Sequence, residues 1–298
     1  MAVDPEDLVD VDSDIPDLDG VVLLHHLDGF VDAGSAGATV VAHLLETLEH
    51  RVIARFDVDD LLDYRARRPI MTYETDRWTG YAAPELVVHL LHDALGTPFL
   101  LMTGPEPDRR WEAVAAAVRA LVERWGVRLT IGLQGIPMSV PHTRELAVIS
   151  HATRPELVTG DSPFHRVKVP GHLSGLIEYR LGEAGHDAMG LVALVPHYLA
   201  QTTYPTAALK LIDTLTTSTG LTVQVDALRK AAELAATEIE GQVAESSEVA
   251  QLVEALERQY DAYVSSSKNL LAEGEEVPSA DELAAEFERF LADQPREN

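Results

Sequence analysis

The residues best placed to do chemistry lie in the turn 27–37, where Gly29, Asp32, Gly34 and Gly37 separate an apolar run, 21–27, from a segment with apolar residues at helical spacing. A Gly/Asp turn between strand and helix aims backbone N–H groups at an anion, and Asp32 supplies a carboxylate for acid/base work on whatever binds there. The same glycines equally serve a turn that only lets helix and strand pack closely. A second polar set, Gln134, His142, Thr143 and Arg144, falls in the segment 132–144, where apolar packing does not require it. Arg144 has the planar fork that recognises phosphate or carboxylate. His197 follows the apolar run 190–195. The ligand-binding candidates are therefore Gly29, Asp32, Gly34, Gln134, His142, Arg144 and His197, with Asp32 the candidate acid/base if the protein is an enzyme.

Other chemistries lack their residues. There is no Gly-x-Ser-x-Gly elbow, no Gly-Lys-Ser/Thr phosphate loop and no His-Glu-x-x-His pair. The chain has no cysteine, which removes thiolate nucleophiles, disulfides and Fe–S ligation. Its twelve histidines are scattered, and the adjacent His25 and His26 point to opposite faces of a strand. No metal site and no cofactor are expected.

The elements that must position these residues alternate. Strands are expected over 21–27, 51–58, 98–103, 127–133, 146–151 and 190–195, and helices over 36–50, 83–94, 109–125, 171–184 and 205–218. Alternation of this kind implies an α/β domain with a largely parallel sheet. The loops after the strands would then share one edge, where open α/β sheets place their sites. Beyond Gly220 no strand is expected, and 226–240, 246–265 and 279–293 read as amphipathic helices. Val249, Leu252, Val253, Leu256 and Tyr260 form one stripe, and Ser279 with Glu282 makes a capping box. The Glu/Gly-rich stretch 270–278 reads as a hinge. The expected organisation is an acidic leader over 1–20, lying loose or along the surface, an α/β domain over 21–220 and a helical extension over 221–298.

At 298 residues with 46% apolar content, the chain can bury a normal core. A net charge of −26 opposes association with nucleic acid or an anionic membrane surface. The first nineteen residues carry eight acids and no base, the reverse of a secretory leader. No apolar stretch approaches the ~20 residues of a membrane span, and cytoplasmic residence is expected.

The chain resembles the PAC2 family, named for the eukaryotic proteasome assembly chaperone 2, and most closely its long actinobacterial members. The resemblance rests on Gly29-Phe30-Val31-Asp32-Ala33-Gly34, on Gly104-Pro105-Glu106-Pro107-Asp108 with Arg110-Trp111, and on Gly135-Ile136-Pro137 with Pro141-His142-Thr143-Arg144. It extends to Glu178-Tyr179-Arg180-Leu181-Gly182-Glu183-Ala184-Gly185-His186 and to Val195-Pro196-His197-Tyr198-Leu199 with Tyr204-Pro205. It implies a three-layer core similar to the phosphorylase/hydrolase α/β fold, a helical C-terminal extension, and assembly as a homo-oligomer, a trimer. It also implies an association with proteasome subunits. The C-terminal hydrophobic-Tyr-x motif by which some relatives engage the proteasome α-ring has no counterpart in Asp293-Gln294-Pro295-Arg296-Glu297-Asn298.

Two functions follow as expectations. The first is a non-enzymatic, chaperone-like interaction protein working through oligomer surfaces. The alternative is a protein that binds or converts a nucleoside- or phosphate-like ligand in a phosphorylase-like crevice, with Asp32 as acid/base and His142 and Arg144 as contacts.

Overall fold

The computed structural model describes residues 5–158, 163–164 and 166–272. In chain order its elements are β1 (Val9–Val11), β2 (Val22–Asp28), α1 (Ala36–Thr47), β3 (His50–Phe56), α2 (Val58–Leu61), β4 (Met71–Glu74), β5 (Arg77–Tyr81), β6 (Val87–His92) and β7 (Pro98–Pro105). They continue with α3 (Trp111–Arg124), β8 (Leu129–Met138), β9 (Val148–Ala152), α4 (Leu173–Glu183), β10 (Ala188–Pro196), α5 (Pro205–Thr219), α6 (Asp226–Glu245) and α7 (Ser247–Ala272). Eight strands form one mixed sheet in the order β1-β3-β6-β7-β2-β8-β10-β9. Its four central strands, β7, β2, β8 and β10, run parallel, and antiparallel strands flank them.

Helices cover both faces, as parallel strands buried on two sides require. Strand β2 shows the division: Val22 and Leu24 pack with Val40 and Leu44 of α1 and Leu211 and Leu215 of α5. Its other face, through Leu23, joins Val114 and Leu121 of α3 and Ile177 and Leu181 of α4. Pro205 opens α5 and Gly220, at φ +79°, ends it in the left-handed cap a side chain would strain.

The extension is tied back at its start. The buried Asp93 carboxylate accepts the N–H groups of Leu95, Thr97 and Thr222, and these bonds hold it below the usual carboxylate range against the opposing effect of burial. His43 Nε2 donates to the Gln224 carbonyl at 2.7 Å. Further on, Val253 and Leu256 of the expected stripe are buried.

Three expectations are corrected, and one element was not foreseen. The segment 83–94 holds strand β6, not a helix, pairing with both β3 and β7. It is buried on both faces, so it reads as a continuous apolar run in which strand and helix periods cannot be told apart. The leader is not loose: Val9–Val11 pairs antiparallel with β3, and Leu8 and Leu18 are buried. The hairpin β4–β5 was not foreseen, because its strands are short and exposed, so their alternation faces no core. Residues 270–272 of the expected hinge belong to α7; the rest of that hinge and the expected helix 279–293 lie outside the described residues. No helix among the described residues is long and apolar enough to cross a membrane.

Candidate functional site

The turn after β2 is built around an anion that the chain itself supplies. Asp32 Oδ1 accepts the N–H groups of Gly37 (3.0 Å) and Gly135 (2.8 Å), and Oδ2 accepts that of Ala38 (3.0 Å). The carboxylate therefore sits at the start of α1, where the helix dipole and unpaired N–H groups favour negative charge, and it also staples that helix to β8. His26 completes the arrangement: Nδ1 donates to the Leu133 carbonyl at 2.9 Å, and Nε2 faces Asp28 at 3.4 Å and Asp32 at 3.7 Å. Burial works against protonation of this imidazole, but the two carboxylates and the Leu133 carbonyl outweigh it and raise its pKa. Gly37 is required because a Cβ there would lie 2.4 Å from the His26 ring. Gly34, at φ +67°, exchanges backbone bonds with Ala200 and Tyr204 and so anchors the turn to the chain after β10.

A second helix start on the same edge is filled in the same way. Glu106, buried after β7, accepts the Leu173 N–H at the first residue of α4 at 2.6 Å. Arg67 ties this region together, donating to the carbonyls of Glu106 and Asp28 and to the Asp108 carboxylate. Gly29, at φ +143°, leaves room for both, since a Cβ would come within 3.1 Å of Glu106 and 3.3 Å of Arg67.

On the face of β2 opposite His26, His25 heads a row that crosses the sheet in register: His25 beside Gly132, Gly132 beside Gly190, Gly190 beside His151. The two imidazoles lie over the two glycines, which no side chain could replace without meeting them. His172 and Glu178 of the α4 segment close the space from above, and Gln134 borders it. What remains is about 10 Å³, no more than one water fills. His25 Nδ1 has no partner among the described residues, and burial, with His26 and His172 nearby, lowers its pKa to about 3. His151, half exposed, donates to Glu178 at 2.9 Å, and that bond raises its pKa. His172 is lowered by burial, and its ring stacks on Phe30 with centroids 4.4 Å apart.

His142, Arg144 and His197 lie at a third place. The Tyr198 hydroxyl accepts the His142 N–H at 2.8 Å and meets its Nδ1 at 2.7 Å; burial lowers the pKa of this histidine. Arg144 is engaged by the chain's own acids: Nε and Nη2 grip Asp261 at 2.9 and 2.8 Å, and Nη1 donates to Glu257 at 3.1 Å. The resulting fork pins α7 to the loop after β8 and commits three of its N–H donors to carboxylates of the chain. Beside it runs an apolar groove of about 610 Å³ bounded by Pro137, Val140, Leu146, His197 and Tyr260. Replacing Arg144 by alanine is expected to speed amide exchange along α7 several-fold while β8 and β10 keep their protection; unchanged exchange in α7 would show that the fork does not hold it.

The seven sequence candidates thus do not converge on one crevice. Asp32 and Gly34 build the turn, Gly29 makes room for Arg67 and Glu106, Gln134 borders the histidine row, Arg144 and His197 flank the groove, and His142 is bonded to the Tyr198 hydroxyl. Sequence reasoning passed over Arg67, His25 and His151. The mid-strand glycines Gly132 and Gly190 were the available signal, since a glycine inside a strand marks a close approach. Among the described residues no group of three or more His, Asp or Glu is placed to hold a metal.

Comparison with known proteins places these features in a wider set. The family model described as the PAC2 family matches residues 26–243. A Mycobacterium tuberculosis protein of unknown function is 44% identical, with a TM-score of 0.83 over 88% of this chain and 91% of that one. A Corynebacterium glutamicum protein of unknown function is 37% identical, with a TM-score of 0.82 over 86% and 98%. A Mycobacterium tuberculosis proteasome-assembly chaperone homologue shares the fold at 24% identity, with a TM-score of 0.70 over 78% and 100%. No curated protein matches the chain.

Proposed function

The chain belongs to the PAC2 family, and from that membership we propose that it is a non-catalytic, chaperone-like interaction protein, a homo-oligomer that acts on proteasome subunits. One observation carries the reading. The groups that would recruit a small anionic substrate are already satisfied by carboxylates of the chain: Asp32 at the start of α1, Glu106 at the start of α4, and Asp261 with Glu257 on Arg144. A phosphorylase-like crevice needs those donors open to its ligand. Here they are spent on fixing helices to the sheet, which suits a rigid body that works through its surfaces. The proteasome as partner is supported by the chaperone homologue of the same fold.

Purified actinobacterial proteasome α and β subunits mixed with the protein test this directly. Co-elution with either subunit and an altered rate of α/β assembly are expected. If the protein elutes alone and assembly proceeds at its unassisted rate, the reading fails.

A further inference from the structure

Helix α4 is fastened over the histidine row by a group that must stay neutral to hold it. The Gly175 N–H, an orphan donor of the first turn, is accepted by Nδ1 of His172 at 3.2 Å, so this imidazole caps the helix. Only the neutral ring has a nitrogen lone pair to offer, because an imidazolium donates from both nitrogens and accepts at neither. Protonation therefore removes the cap and sets a cation at the positive end of the helix dipole.

The ring is confined where it stands. Phe30 stacks on it, with centroids 4.4 Å apart and planes within 2°, and its Nε2 lies 2.9 Å from the position a Cβ at Gly175 would take. Four titratable groups act on it: Glu106 after β7, His25 of β2, His151 of β9 and Glu178 of α4 itself. Both carboxylates are engaged, Glu106 by the Leu173 N–H and Glu178 by His151. Beneath the helix, His25 brings a buried Nδ1 with no partner among the described residues, in a void that one water fills.

The sign of the pH effect follows. Burial, the largest influence on His172, holds its pKa below the ordinary value, with the Glu106 carboxylate opposing. The closed helix is therefore fully favoured above about pH 6.5 and loses ground as the pH falls. His151 runs the other way: its bond to Glu178 raises its pKa, so its contribution to the closed state persists in acid.

We propose that α4 is an acid-released clamp: a proton on His172 undoes the helix cap, the first turns lift from the sheet, and the chamber over Gly132 and Gly190 opens to water. Lifting bares Leu173 and Ile177, both buried in the closed state, so mild acid converts a closed face of the protein into an apolar one. It also hydrates His25, whose unmet nitrogen then takes a proton from solvent and keeps the helix off. The strands below stay paired, because the ladder joining β8 and β10 does not involve α4.

Hydrogen exchange of the full-length protein at pH 7, 6 and 5, corrected for the intrinsic rate at each pH, tests the clamp. Protection of α4 is expected to fall about tenfold from pH 7 to pH 5 while β8 and β10 keep theirs. His172→Asn retains a cap that stays neutral in acid and should lose most of this dependence; adding His25→Gln should remove the rest. Equal loss in β8 and β10, no loss in α4, or the same loss in His172→Asn as in the unmodified chain overturns the proposal. A thiol probe decides the matter even if the asparagine variant fails to fold. The chain has no cysteine, and Val192 is buried in the chamber wall under α4. Val192→Cys, its fold confirmed by circular dichroism, is expected to react with a dipyridyl disulfide about tenfold faster at pH 5 than at pH 7, each rate taken relative to the unfolded chain at the same pH. Equal relative rates at the two pH values mean that α4 stays closed and overturn the proposal.

Discussion

Acidification from pH 7 to pH 3 is expected to cost the fold roughly 4–5 kcal/mol through His25 alone. The direction follows from its environment. Burial lowers the folded pKa from 6.5 to about 3, so between those values the unfolded chain binds a proton that the native state refuses. Stability from this group is complete above pH 6.5 and drains away as the pH falls toward 3. The groups facing it are His172 and His151 with Glu178, with His26 adjacent on the other face of β2, and they divide. His172 is lowered and acts in the same sense as His25, whereas His26 and His151 are raised, so their contributions persist in acid and fade as the pH rises through their folded pKa values. Urea unfolding at pH 7, 6, 5 and 4 measures the slope, and His25→Gln, neutral throughout, should flatten it by most of that amount. Parallel curves for the variant and the unmodified chain would remove His25 as the source.

How this row of histidines escaped a reading of the sequence shows what the chain makes legible. His25 and His26 were separable, because alternation along a strand assigns them to opposite faces. That His151 lies two strands beyond Gly132 depends on register, which no local pattern encodes. The central parallel strands, the helices between them and the helical extension were readable from apolar spacing and capping residues alone. Strand β6 was not, since burial on both faces erased its period. Neither was the hairpin β4–β5, whose apolar residues face no core. At the site, the Gly-x-x-Asp-x-Gly turn left open whether a bound anion or only close packing was served; that the Asp32 carboxylate itself occupies the helix start emerged only from the hydrogen bonds. Arg144 misled for the same reason: its chemistry calls for carboxylates, and the chain places two of them 113 and 117 residues later.

Asp32→Ala is therefore expected to lower stability by about 3 kcal/mol, the scale of leaving partly buried backbone donors without their acceptor. Three backbone N–H groups lose their acceptor, and the raised His26 loses one of its two carboxylates. Asp32→Asn should fall between, because an amide oxygen still serves Gly37 and Gly135 while its NH₂ opposes the Ala38 N–H. If Asp32 were instead an acid/base poised for a substrate, both variants would unfold at the urea concentration of the unmodified chain. The alanine variant also offers a positive signal. It leaves the Gly37 and Ala38 N–H groups at the start of α1 and the Gly135 N–H of β8 around an empty, anion-sized space, which is the geometry that recruits small oxyanions. Formate or acetate should then stabilise Asp32→Ala in proportion to occupancy, by about 2.7 kcal/mol at a hundred times the dissociation constant, and should leave the unmodified protein unmoved because its own carboxylate holds the place. Equal shifts in both proteins would mean that the anion acts elsewhere, and no shift in the variant would mean that the turn collapses once Asp32 is gone.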